Sequence, residues 1–191
     1  MPDWTALAAD LEAADPLASF RDEFVIDEPD LCYLDGNSLG RLPKRTIPRV
    51  EAALRQQWGV RLIRGWNDGW LDLPVRLAGM LAKVLNVQPT EVLVGDTTSL
   101  NLYKLALGSL RAHDKRAILT TSDNFPSDLY VLQGLDAELH VVEPDLLQSS
   151  ISADTALVTA SHVAYGSGQR SDIARLSEIA RKNGALSLWD L

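Results

Sequence analysis

The chain has 191 residues and a formal net charge of −8, which argues against a nucleic-acid partner bound through a basic surface. Apolar residues make up 46% and charged residues 23%, the composition of a globular protein with enough apolar material for a core. The single cysteine, Cys32, excludes an internal disulfide and favours the cytoplasm. We expect no membrane partner, because the sequence has no signal-like start and no run of about 18 apolar residues.

In chain order, hydrophobic periodicity and turn residues predict six helices and six strands. The helices are predicted at residues 3–14, 43–58, 74–85, 99–110, 127–133 and 172–182, and the strands at 32–34, 91–94, 117–121, 139–143, 155–159 and 185–189. We expect Cys32 to be buried in the first of these strands. From residue 91 onward strands alternate with helices, which indicates an α/β fold with a mainly parallel sheet.

Ligands of such sheets bind beyond the carboxyl ends of the strands. Gly95-Asp96-Thr97-Thr98-Ser99 is predicted to follow one strand and to start a helix. Its free amides and the helix dipole could bind a phosphate, or one hydroxyl could simply cap the helix. No Gly-Lys-Ser/Thr follows, so this is not a nucleotide P-loop.

Other loops at predicted strand ends carry an aromatic ring and acidic side chains. Phe125 could stack on a flat ring or belong to the core. Asp190 could pair with a protonated ring nitrogen or face solvent. His162 is one of three histidines, and their spacing fits no metal site, so we expect no metal. A phosphate at a helix start, a stacking aromatic and an acid for a ring nitrogen together describe a pocket for pyridoxal 5′-phosphate (PLP).

Three motifs resemble the kynureninase family. They are Tyr33-Leu34-Asp35-Gly36-Asn37-Ser38-Leu39-Gly40, Phe125-Pro126-Ser127-Asp128 and Trp189-Asp190-Leu191. The resemblance extends from about residue 30 to the end, and the Gly36–Gly40 loop is its most specific part.

This resemblance implies a fold-type-I PLP enzyme, similar to the aspartate aminotransferases, that acts as a cytoplasmic homodimer in tryptophan catabolism and NAD biosynthesis. It implies hydrolysis of L-kynurenine or 3-hydroxykynurenine to anthranilate or 3-hydroxyanthranilate and L-alanine. The implied cofactor-binding residues are Thr97, Thr98, Ser99, Phe125, Pro126, Ser127, Asp128, Ser161 and Asp190. The implied substrate-side residues are Asn37, Ser38 and Trp66, and some members of the family have His in place of Trp66.

The family's Schiff-base lysine, preceded by a tyrosine, lies downstream of the Asp190 motif, so we expect no catalytic residue in this chain and no activity from it alone. The sequence ends directly after a strand, which suggests a truncated protein. We expect residues 1–30 to form an arm of a small domain, and residues 31–191 the N-terminal part of a PLP-binding large domain. The alternatives are a cysteine desulfurase-like PLP enzyme and a non-catalytic, truncated, dimerising chain.

Overall fold

The computed structural model describes residues 2–191, and the chain divides into two compact units, one ending at Pro89 and the other running from Thr90 to Leu191. The predicted arm at residues 1–30 falls within the first unit, except that Met1 lies outside the described residues. Its assignment to a small domain remains a prediction.

The first unit is helical and contains no named strand between residues 2 and 89. Helix α1 (Trp4–Ala13) is capped by Asp3, whose Oδ1 accepts hydrogen bonds from the amides of Thr5 and Ala6, both at 3.1 Å. The three α-helices are α1 (Trp4–Ala13), α2 (Thr46–Ala52) and α3 (Leu73–Leu85). Helix α2 continues as a π-helix, Ala53–Arg61, and then a 3₁₀ turn, Leu62–Trp66, so the predicted helix at 43–58 is irregular in its second half. Helix α3 ends where predicted, because Asn86 adopts the left-handed conformation, with φ 56°.

Two of the predicted strands are not formed. Residues 32–34 have no regular structure, and Cys32 is exposed rather than buried. Glu91 ends a 3₁₀ turn, Pro89–Glu91, and residues 92–94 follow it without forming a strand. The short apolar runs at both places have the composition of strands, but no neighbouring strand among residues 2–191 pairs with them.

The second unit is a four-stranded parallel sheet in the order β2-β1-β3-β4. Its strands are β1 (Ala117–Thr121), β2 (Glu138–Val142), β3 (Thr155–Ser161) and β4 (Leu186–Asp190). Its helices are α4 (Thr98–Arg111), α5 (Pro126–Gln133), α6 (Leu147–Ser150) and α7 (Ile173–Lys182). The prediction of a mainly parallel sheet flanked by helices is confirmed, because every strand pair is parallel.

The core lies on both faces of the two central strands. Successive side chains of a strand point to opposite faces, so Ile118 packs beneath α4 and α5 whereas Leu119 packs beneath α6 and α7. The same alternation places Leu157 in the first cluster and Val158 in the second. Burial on both faces fixes the register of these strands, and it therefore fixes the positions of the loops at their carboxyl ends.

None of the helices formed by residues 2–191 is long and apolar enough to cross a membrane. Within the same residues, no cluster of three or more histidine, cysteine or acidic side chains could hold a metal ion.

Candidate active site at the carboxyl edge of the sheet

The parallel strands bring predicted site residues to one edge of the sheet. Ser161 ends β3 and Asp190 ends β4, and the two residues are register partners across the strand pair. The amide of His162 donates a 2.7 Å hydrogen bond to the carbonyl oxygen of Asp190, which holds the two strand ends together. The side chain of Asp190 is exposed at this edge.

The amino end of α4 lies at the same edge, because α4 packs on the sheet and the chain reverses direction before entering β1. Thr97 is the N-cap, and its Oγ1 accepts a hydrogen bond of 3.3 Å from the amide of Leu100. The loop before it is held by Asn101 Nδ2, which donates to the carbonyl of Gly95 at 2.8 Å. The hydroxyls of Thr98 and Ser99 form no hydrogen bond with residues 2–191 and remain available to a ligand. The helix start thus combines hydroxyl groups with the unpaired amides of a first turn.

The loop between β1 and α5 is fixed by a buried amide that the sequence analysis did not include among the site residues. Asn124 is only 3% exposed. Its Nδ2 donates to Thr120 Oγ1 at 3.1 Å, and its Oδ1 accepts from Ser161 Oγ at 3.0 Å and from the amide of Phe125 at 2.9 Å. Asn124 therefore links β1, β3 and the start of α5.

Phe125 is the N-cap residue of α5, and Asp128 lies in the first turn of this helix. The ring of Phe125 is 46% exposed and meets Tyr165 edge to face, with ring centroids 5.2 Å apart. Tyr165 was not predicted as a site residue, because a tyrosine in a polar loop carries no distinguishing sequence signal. Pro126 occupies the start of α5 and Ser127 the next position, where its hydroxyl lies 3.4 Å from Asp128 Oδ1.

Asp128 is a buried carboxyl group, with 4% of its surface exposed. Burial raises its pKa, and the negative charge of Asp190 raises it further, while the hydrogen bond from Ser127 opposes both effects. The negative charge of Asp190 therefore acts on the carboxyl group of Asp128.

The three predicted substrate-side residues belong to the first unit. Ser38 Oγ donates to Asp35 Oδ1 at 2.8 Å, within a loop that is closed by hydrogen bonds from Tyr33 Oη to the carbonyls of Asp35 and Leu39. Asn37 lies in the same exposed loop. Trp66 is 48% exposed and packs edge to face against Trp70, with a centroid distance of 5.9 Å.

The three lysines of the second unit are either paired with acidic side chains or lie away from the carboxyl edge of the sheet. Lys104 forms an ion pair with Asp96, and Lys182 forms one with Glu178. Lys115 lies at the amino edge of the sheet, where its Nζ donates to the carbonyls of Asn183 and Gly184 at 2.9 and 3.0 Å.

Comparison with known proteins identifies what the chain is similar to. A family model described as aminotransferase class-V matches residues 79–191. A kynureninase from Pseudomonas fluorescens is 40% identical over 95% of this chain and 46% of its own length. A kynureninase from Deinococcus radiodurans is also 40% identical, over 95% of this chain and 47% of its own length. The chain thus spans about half the length of the curated relatives it matches.

Solved structures share the fold at low identity. A mutant of C-DES with glycine covalently linked to the PLP cofactor matches with a TM-score of 0.68 and 21% identity, over 85% of this chain and 47% of its own. The cysteine desulfurase CsdA from Escherichia coli matches with a TM-score of 0.67 and 18% identity, over 92% of this chain and 48% of its own.

Proposed function

Because the chain belongs to the aminotransferase class-V family, we propose that the complete protein is a PLP-dependent kynureninase. It hydrolyses L-kynurenine, or the 3-hydroxy form, to L-alanine and anthranilate, or 3-hydroxyanthranilate. The observation that carries this proposal is the 40% identity to two kynureninases along 95% of the chain. The alignments to these kynureninases extend over both units, whereas the family model matches only residues 79–191.

The residues at the carboxyl edge fit the chemistry of PLP. A phosphate group is dianionic, and the start of α4 offers it free amides, the positive end of a 14-residue helix and the hydroxyls of Thr98 and Ser99. A protonated pyridine nitrogen needs a carboxylate, which Asp190 supplies at the end of β4. The exposed ring of Phe125 offers a face for stacking on a flat heterocycle. Thr97, Pro126 and Ser127 shape the two loops that carry these groups.

PLP, when bound, supplies an electron sink for the bonds that break in the substrate. Asp190 keeps the proton on the ring nitrogen, because its carboxylate is attracted to the protonated form. Thr98 and Ser99 anchor the phosphate, and Phe125 excludes water from one face of the ring. Asp128, in the first turn of α5, adds a buried carboxyl group whose pKa is raised by burial and by the negative charge of Asp190.

The substrate and partner assignments rest on the family motifs. Asn37, Ser38 and Trp66 would contact the substrate, with Asn37 and Ser38 contributing across the interface of a homodimer. The single cysteine is in keeping with a cytoplasmic enzyme. Its reaction would belong to tryptophan catabolism and NAD biosynthesis.

A cysteine desulfurase-like activity is the second candidate, because the matching solved structures include an enzyme of that name. Its support is weaker, since identities of 18 to 21% reflect the shared fold alone. A third alternative is a non-catalytic, dimerising chain, which would bind neither substrate productively.

The test is to supply purified full-length protein with PLP and, separately, L-kynurenine, 3-hydroxykynurenine and L-cysteine. We expect anthranilate or 3-hydroxyanthranilate together with L-alanine, and no sulfide or persulfide from cysteine. Asp190→Ala should lower kcat by about 100-fold or more, because it removes the charge that stabilises the ring proton. Sulfide production without anthranilate would favour the second candidate, and absence of all products would favour the third.

A further inference from the structure

The buried amide of Asn124 connects two residues of the proposed cofactor site to the rigid centre of the sheet. Thr120, in strand β1, accepts a proton from Asn124 Nδ2, while Ser161 Oγ and the amide of Phe125 donate to Asn124 Oδ1. Thr120 is 0% exposed and Asn124 is 3% exposed, so neither residue itself presents a surface to a ligand. Any effect of Asn124 on ligand binding must therefore pass through the residues that it holds.

The donors and acceptors of this network have only one consistent arrangement. A backbone N–H can only donate, so the atom of Asn124 that faces the Phe125 amide is the carbonyl oxygen. Ser161 Oγ lies 3.0 Å from the same oxygen and must donate its proton to it. The lone pairs of Ser161 are then the groups left for a ligand, so Ser161 accepts a hydrogen bond at this edge and does not donate one.

We propose that Asn124 is a positioning residue for PLP. It fixes Ser161 as a hydrogen-bond acceptor, and it orients the backbone of Phe125 through the hydrogen bond to the Phe125 amide. The proposal rests on the PLP site described under the proposed function. Without Asn124, the Ser161 hydroxyl is free to rotate and to donate elsewhere. The N-cap position of α5, occupied by Phe125, also loses the side chain that holds its amide.

The experiment compares variants of the full-length protein. Asn124→Leu keeps the branching at Cγ and removes the polar atoms, and Ser161→Ala removes the group through which Asn124 acts. PLP affinity is measured by titration of cofactor absorbance, and PLP orientation by its visible circular dichroism. We expect Asn124→Leu to raise the dissociation constant about tenfold in the native background and about threefold or less in the Ser161→Ala background. Coupling of this kind is the signature of two residues acting together.

Two isosteric variants protect the test against a general loss of stability. Thr120→Val removes only the partner of the Asn124 Nδ2, and it should weaken PLP binding about threefold. Thr155→Val removes an equally buried hydroxyl, one that accepts from the Ser152 amide at the opposite edge of the sheet. It should leave PLP affinity and circular dichroism unchanged, even if both variants unfold at a similarly lowered urea concentration.

The outcomes separate this proposal from the proposed function. A native protein that binds no PLP would overturn both. A native protein that binds PLP would overturn the positioning role alone in three cases: Asn124→Leu has no effect, its effect is equally large in the Ser161→Ala background, or Thr155→Val weakens PLP as much as Thr120→Val.

Discussion

At the scale of single residues, Asp128 is a buried carboxyl group whose surroundings disfavour the charged form. Only 4% of its surface meets solvent, and the Ser127 hydroxyl is 3.4 Å away, at the long end of hydrogen-bond distances. Burial raises the pKa of Asp128, and Asp190 raises it further. The neutral acid is therefore favoured in the folded state more than in the unfolded chain.

Because the pKa of Asp128 is higher in the folded state than in the unfolded chain, ionisation of this carboxyl group should lower the stability of the protein. Asp128→Asn would remove this pH-dependent loss of stability. The pKa is raised in the folded state, so the stability associated with the protonated acid is complete below about pH 4, the unfolded value. It is lost as the pH rises through the folded-state pKa. At pH 7 the cofactor-free variant should therefore have a higher free energy of unfolding than the native protein, and this difference should shrink as the pH falls to 4. The measurement is urea unfolding of both proteins from pH 4 to 8. A stability difference that stays constant across this range would contradict the prediction.

The identities of the residues in this site were only partly predictable from sequence. Asp190 and Thr97 stand at the ends of regular elements, and those ends can be located from hydrophobic patterns. Asn124 and Tyr165 act through contacts with residues that are distant in the chain, namely Ser161 and Phe125. No local pattern distinguishes such residues from ordinary loop positions, because the contact depends on how the strands are arranged.

At the scale of elements, strands buried on both faces were predicted best. The sequence predicts β1 at residues 117–121, and the structure has the same bounds. The strands predicted at 32–34 and 91–94 are wrong, since a short apolar run becomes a strand only beside a pairing partner. The π-helix Ala53–Arg61 could not be predicted either, because its residues also suit an α-helix. Local propensity therefore identified the strands that belong to the parallel sheet. It failed for short apolar runs that have no pairing strand.

Lys115 joins the start of β3 to the turn between α7 and β4, and this gives a prediction at the same scale. Its half-buried ammonium group donates to the carbonyls of Asn183, Gly184 and Thr155, at 2.9, 3.0 and 3.3 Å. Lys115→Met keeps an unbranched side chain but leaves these carbonyls without their charged donor. We expect a loss of about 2 kcal/mol in the free energy of unfolding, measured in urea.

The matched control is Lys182→Met in the last turn of helix α7. Lys182 forms an exposed i,i+4 ion pair with Glu178, and pairs of this kind contribute about 0.5 kcal/mol or less. Equal losses in the two variants would show that Lys115 is no more than another surface charge.

At the scale of the whole molecule, the fold class was predictable because alternation of strands and helices is a long-range pattern that tolerates local errors. Two missing strands did not disturb the prediction of a parallel sheet flanked by helices, which is confirmed. The strand order β2-β1-β3-β4 was not predicted. It depends on which strands become neighbours after each crossover connection, and local sequence patterns do not determine this. Ser161, Asp190 and the loop that follows β1 nevertheless reach one edge, since all parallel strands end on the same side.

The lysines of this sequence give a prediction for the 191-residue polypeptide as a whole. A lysine that forms a Schiff base must be held against the aldehyde of PLP and must lose its proton. Lys115 lies at the opposite edge of the sheet from Asp190 and donates to three carbonyls there. The other four lysines have exposed side chains: Lys44, Lys83, Lys104 and Lys182. We therefore expect no lysine of this sequence to be modified selectively by PLP.

The measurement is borohydride reduction of the purified 191-residue polypeptide after incubation with PLP, followed by mapping of labelled lysines by mass spectrometry. Exposed amines react with aldehydes weakly and without selectivity, so labelling should be substoichiometric and spread over several of the five positions. The full-length protein provides the positive control, and under the proposed function it should be labelled stoichiometrically at one lysine outside this sequence. Stoichiometric labelling of a single lysine within the 191 residues, accompanied by kynurenine turnover, would contradict the prediction. If the labelled residue were Lys115, its amine would have to reach the carboxyl edge of the sheet. The three hydrogen bonds that hold it at the amino edge would then have to break.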